Sequence, residues 1–183
     1  MQCIARQSWS FLLLQSDNPF WQFSLAVYAA PGVAAECLAL QKALDVDVNM
    51  LLFCAWLGAR KTVVTAEEIE TFEAMVRPWR QSVVGPLRAA RNAMKAMPEM
   101  AHEDVKALRK QILEVELRAE QIQQALLFQA ITDRPLAPTA ESKDAAVRTN
   151  LRTFLESKAR AREASLTGLP VDRLAHAAVT IVA

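Results

Sequence analysis

Apolar residues recur along this chain at three- and four-residue steps in several separate runs, the period of helices with one buried face. The first run follows Asn18-Pro19, an N-cap residue with proline at the first helical position, where a missing N–H costs nothing. It predicts a helix over about 19–29, with Phe20, Phe23, Leu25 and Val27 available for burial, broken by Pro31-Gly32. Pro31 then opens a second helix to about Leu44, with Val33, Cys37, Leu38 and Leu40 as its apolar side. Asp47 caps a third over about 48–59. Its run from Met50 to Leu57 is apolar nearly all round, which places it at the centre of the fold.

Thr65-x-x-Glu68 is a capping box. Ile69, Phe72, Val76, Trp79, Val83, Leu87, Ala90, Met94 and Met97 follow on one apolar face, with kinks or a short break expected at Pro78 and Gly85-Pro86. Met97-Pro98 turns the chain. From Glu99 or Glu103 a second long helix carries a heptad seam, Val105, Leu108, Ile112, Val115, Ala119, Ile122 and Leu126. The pair predicts an antiparallel hairpin roughly 45 Å long at 1.5 Å per residue. A linker near Arg134-Pro135 leads to a third periodic segment over about 139–166, with Val147, Leu151, Phe154 and Leu155 on one side. Gly168-Leu169-Pro170 ends it, and a last short helix spans about 172–182.

These elements define an all-α fold: a compact three-helix N-terminal layer packed on a long, kinked antiparallel helical hairpin, with a helical C-terminal tail. The expected division is 1–16 as an extension, weakly structured or upstream of the true translation start, 17–131 as the helical domain, and 132–183 as a looser, variable helical tail.

Composition narrows the picture. The chain has 183 residues, suited to one domain, with 52% hydrophobic residues and only four glycines, which favours packed helices. A net charge of +1 rules out polyanion binding by bulk field, so any such role must be local. Cys3, Cys37 and Cys54 form no C-x-x-C, and a reducing cytoplasm suits them. No window of about 18 apolar residues is present, so no membrane span is expected. The short apolar run from Trp9 to Leu14 faintly resembles a signal peptide, but its apolar stretch is minimal and no A-x-A site follows, so secretion is not expected.

Candidate chemistry is sparse. His102 and His176 stand apart from any nucleophile in sequence, and no zinc, di-iron, P-loop or dinucleotide motif is present. No cofactor and no metal is expected. Arg77, Arg80, Arg88, Arg91 and Lys95 form a cationic stripe: at ~100° per residue they share roughly 80° of helix arc, with no acidic residue between the first and the last. Internal pairing competes evenly with a ligand role: Glu73 and Glu70 stand upstream, and the paired helix offers Glu99, Glu103, Asp104, Glu114, Glu116 and Glu120. A second candidate is a pocket at Asp47, Asn49 and Trp56, where a polar helix start meets the most apolar helix. Trp21, Trp56 and Trp79 are expected as core anchors, with one or two lining a groove.

Three blocks occur together: Asn18-Pro-Phe-Trp-Gln-Phe-Ser-Leu-Ala-Val-Tyr28, Pro31-Gly-Val33, and Asp47-Val-Asn-Met-Leu-Leu-Phe-Cys-Ala-Trp-Leu-Gly58. With Val76-Arg-Pro-Trp-Arg80 and Val84-Gly-Pro-Leu-Arg88 they resemble a small conserved-hypothetical family of proteobacteria, a domain of unknown function. The resemblance covers about 18–131 and carries no established activity. It implies a soluble, intracellular, all-helical bacterial protein.

The sequence therefore reads first as a non-enzymatic cytoplasmic adapter or regulator, acting through helix-face contacts with a protein partner, or as a homodimer through the hairpin. Nucleic-acid or other polyanion binding through the stripe from Arg77 to Lys95 is the alternative. A small helical enzyme with a pocket near Asp47 and Trp56 is the third reading.

Overall fold

The computed structural model describes residues 14–163, 165 and 170–181. The expectations for the first thirteen residues and for Gly168-Leu169 lie outside them. Among the described residues eight α-helices follow one another: α1 (Pro19–Ala29), α2 (Val33–Leu44), α3 (Val48–Ala59), α4 (Ala66–Trp79), α5 (Gly85–Ala93), α6 (Glu103–Asp133), α7 (Lys143–Ala161) and α8 (Asp172–Thr180). The protein is all-α, with a helical C-terminal part.

Local rules set the helix ends. The Asn18 side chain accepts from the Trp21 N–H, and Asp47 Oδ1 accepts from the Asn49 N–H at 3.0 Å. Thr65 and Glu68 exchange both bonds of a capping box. Gly32 stands before α2 with φ +82, a left-handed conformation open to glycine at little cost. A cap beyond the reach of sequence rules closes α8. The nearly buried Glu36 carboxylate of α2 accepts from the N–H groups of Arg173 and Leu174, at 3.1 and 2.9 Å.

Helix α3 is the centre, with every residue from Asn49 to Ala59 buried. Its Phe53 and Trp56 join Phe20, Phe72 and Phe128 in one aromatic cluster with ring centroids 5.0–6.2 Å apart. Such pairs add about 0.5–1.5 kcal/mol each beyond their buried area. The C-terminal part was expected to be loose, but α7 packs along α3 and buries Val147, Leu151 and Phe154. Gly58 makes that approach possible, since a Cβ there would lie 2.5 Å from the Val147 backbone. Asn150 of α7 is wholly buried. It donates to the carbonyls of Cys54 and Thr62 at 3.1 and 2.9 Å and accepts from the Val64 N–H at 3.0 Å.

The hairpin forms as expected, with two 3-10 turns, Met94–Ala96 and Pro98–Ala101, joining α5 to α6. Its kink differs from the expectation. Helix α4 runs through Pro78, and a π-turn at Arg80–Val84 carries the chain into α5, closed by a bond from the Gly85 N–H to the Arg80 carbonyl. A π-turn spends one extra residue, so the apolar phase slips and Val84 is buried where the regular helix period pointed to Val83.

The heptad seam of α6 is a second difference. Leu108 and Val115 are exposed, while Glu116, Ala119, Gln123, Gln124 and Leu127 are buried. The helix has turned its polar residues inward, because partners wait for them there.

Candidate functional site

The five cations do not form one stripe. The π-turn divides them. Upstream, Arg77 pairs with Glu70 at 2.6 Å, and Arg80 lies 3.6 Å from Asp47 and 3.7 Å from Asp45. Glu73, expected beside Arg77, is instead buried against Lys158 of α7. Downstream, Arg88 and Arg91 turn toward α6. Arg88 Nε donates to Glu116 at 3.0 Å and its guanidinium also holds Glu120, while Arg91 donates to both Glu116 oxygens. Lys95 makes no ion pair among the described residues.

The two carboxylates answer this field differently. Burial pushes Glu116 up, but hydrogen bonds from Arg91 and Arg88 and their charges outweigh it, so its carboxyl sits below the usual range. Burial also raises Glu120, and there Arg88 does not compensate, since the Glu116 charge adds to the rise. Glu116 is thus a fixed anion, and Glu120 the carboxyl of the pair that takes a proton first.

Behind these ion pairs lies a buried amide relay. Asp47 Oδ2 accepts from Gln123 Nε2. Gln123 Oε1 accepts from Asn49 Nδ2 at 3.5 Å, and Asn49 Oδ1 accepts from Gln124 Nε2 at 2.8 Å. A carboxylate only accepts, so Asp47 sets the direction of every amide after it. The relay ends on Gln124 Oε1, which is buried without a partner. Ser24 Oγ is likewise buried and unpartnered. Sequence reasoning singled out Asp47 and Asn49, and the structure brings them together. It missed Gln123, Gln124 and Ser24. The signal was present in Gln123-Gln124 heading the apolar stretch Ala125-Leu126-Leu127-Phe128, since buried amides require partners.

Trp56 does not join them. It is wholly buried in the aromatic cluster, with the Arg60 guanidinium 5.0 Å from its ring centroid. Trp79 anchors the hairpin by donating from Nε1 to the Ala119 carbonyl at 2.9 Å. Of the three, Trp21 lines a groove, where one or two were expected to.

That groove runs between α1–α3 and the α5–α6 hairpin, with a volume of about 490 Å³. Asn49, Ser24 and Gln124 line it together with Leu52. Arg88, Arg91, Glu116 and Glu120 lie along one side with Lys95, and Leu25, Leu38, Leu113, Leu117 and Tyr28 stand around it. Asp47 lies outside, in a small recess of about 20 Å³ beside Arg77 and Arg80.

Fold and groove together define an all-helical protein with a largely apolar groove beside an ion-paired, hydrogen-bonded wall. Residues 19–127 match the family described as protein of unknown function (DUF2390), and the chain belongs to that family. No curated protein and no solved structure matches it. Among the described residues no single helix is long and apolar enough to cross a membrane.

Proposed function

We propose that this chain is a non-enzymatic cytoplasmic adapter or regulator, and that the groove between α1–α3 and the α5–α6 hairpin is its docking surface for another protein. One observation carries the reading. Leu25, Leu38, Leu113 and Leu117 are 47%, 53%, 37% and 47% exposed, and all four stand around this one groove. Exposed leucines gathered in a concave patch mark an interaction site, whereas scattered ones do not.

The occupant that fits is an amphipathic helix from the partner, laying apolar side chains at three- and four-residue spacing between α1 and α6. It carries an acidic residue. Arg88, Arg91 and Lys95 face two carboxylates, Glu116 and Glu120, which leaves one positive charge in surplus, and Lys95 has no ion pair. The polyanion reading keeps only that one of its five cations free. The enzyme reading keeps Asn49 in the groove but loses Asp47 to a separate recess and Trp56 to the core.

Affinity capture from the native host, with the full chain, tests the proposal. Leu38→Asp and Leu117→Asp are expected to lose the captured protein while keeping wild-type helicity and Tm. Met75→Asp, at an exposed methionine of α4 outside the groove, is expected to retain it. Recovery of the same protein by the groove variants overturns the reading. So does a concentration-dependent doubling of mass that those variants abolish, which would make a second copy of this chain the occupant.

A further inference from the structure

We infer that the floor of this groove is a subsite for one neutral aromatic side chain bearing a hydrogen-bond donor, an indole N–H or a phenol O–H, presented by the docked segment. The inference rests on the docking surface proposed above and names what it reads.

The argument starts from the two orphan oxygens. Gln124 and Ser24 are each 2% exposed, both line the groove, and neither Gln124 Oε1 nor Ser24 Oγ has a partner. A buried acceptor without a donor is costly, and such groups are uncommon in native interiors. Gln124 cannot relieve the defect by turning its amide over. Its Nε2 is committed to Asn49 Oδ1, Asn49 Nδ2 to Gln123 Oε1, and Gln123 Nε2 to Asp47. Reversing one amide would set nitrogen against nitrogen or oxygen against oxygen along the whole relay, back to a carboxylate that cannot donate. Arg80 Nε lies 3.6 Å from that carboxylate. The relay therefore fixes Gln124 Oε1 as an acceptor on a residue that lines the groove.

The chemistry of the donor follows from its surroundings. Trp21, Leu25, Leu52, Leu113 and Leu117 make the walls apolar, so the entering group must be apolar up to its tip. An ammonium is disfavoured by the surplus positive charge of the groove and by the cost of burying an ion beside neutral oxygens. A serine or threonine side chain brings a donor but no large apolar body to cover Trp21 and the leucines. Tryptophan and tyrosine combine a large apolar body with one polar tip.

Matched small probes test this without the partner. Indole and 1-methylindole differ by the donor alone, as do phenol and anisole. Each is titrated onto the full chain and followed through the side-chain amide resonances of Gln124 and Asn49. Indole and phenol are expected to bind about ten-fold more tightly than their methylated counterparts, since a site built to pair a donor rejects the analogue lacking it. Gln124→Met should erase that preference while leaving Tm equal or higher, because an unpaired buried amide has been removed. Should that variant fail to fold, Ser24→Ala is expected to narrow the preference. Asp47→Asn, at a residue that does not itself line the groove, should narrow it too, by letting the relay run either way. Equal binding of methylated and unmethylated probes, or no binding by either, overturns the inference. Discriminating probes together with groove variants that keep their partner would instead sink the docking surface and leave the subsite standing.

Discussion

Gly58 and Val147 meet at the crossing of α3 and α7, so closely that a Cβ on Gly58 would stand 2.5 Å from the Val147 Cα. Backbone, not a flexible side chain, occupies the space. Gly58→Ala must push the two helices apart and is expected to cost about 3 kcal/mol or more. At Gly85 a Cβ would lie 3.2 Å from the Arg80 carbonyl, a contact the π-turn can ease. Gly85→Ala is expected to lose far less. Thermal melts of the two variants check the contrast.

The same crossing bears on where the folding unit ends. The family match stops at residue 127, yet Val147, Leu151 and Phe154 of α7 are part of the core. A chain truncated after Asp133 leaves α3 uncovered on that side. It is expected to lose the cooperative unfolding transition shown by the full chain, as followed by circular dichroism in urea. A sharp transition in the truncated chain would show that α7 is dispensable.

Asn150 holds α3 to the connecting segment before α4 through three backbone groups, the carbonyls of Cys54 and Thr62 and the N–H of Val64. Asn150→Asp sets a carboxylate against two carbonyl oxygens in a dry site. The expected loss is about 3 kcal/mol or more, from two lost bonds and a buried unpaired charge. Asn150→Asp should recover stability toward acid pH, where the new carboxyl protonates and can donate once. Denaturant titrations at neutral and acid pH read both effects.

Glu116 and Glu120 should respond to pH with opposite signs. Glu116 has a folded value below its ordinary 4.5, so the stability it contributes is full above that value and is lost as pH falls through the lowered one. Glu120 has a raised folded value, so its contribution is full below 4.5 and is lost as pH rises through the raised value. At neutral pH, Glu116→Gln is expected to cost about 2 kcal/mol, leaving Arg88 and Arg91 short of a charged acceptor. That deficit should shrink as pH falls through the lowered Glu116 value. Glu120→Gln should melt at or above the wild-type temperature at neutral pH. Melting curves of both variants across the acid range decide it.

Both described thiols should be inert in the folded protein. Burial, then the Glu36 charge, pushes Cys37 to about 12, and burial with the Glu73 charge pushes Cys54 higher still. Iodoacetamide near pH 8 is expected to leave both peptides unmodified in the native chain and to label both in denaturant, read by peptide mass spectrometry.

Local physics is legible in the sequence, and it settled most of the helix ends. Asn18-Pro19, Asp47 and the Thr65–Glu68 box each act within three residues of themselves, so their helix starts follow from the string of residues alone. The same holds for α3 as the central helix, since a run without a polar face has no way to lie at the surface. That acidic residues of α6 answer Arg88 and Arg91 was also readable from the hairpin. What the sequence could not settle depends on phase and on distant partners. One π-turn moved the register by a residue and split a five-cation stripe into two groups. Glu116, Gln123 and Gln124 face inward because Arg88, Arg91, Asp47 and Asn49, 25 to 76 residues away, are there to bind them. The groove and its orphan acceptor exist only once those pairs close. Helix starts are set by nearest neighbours, whereas a site is made by what the chain brings together.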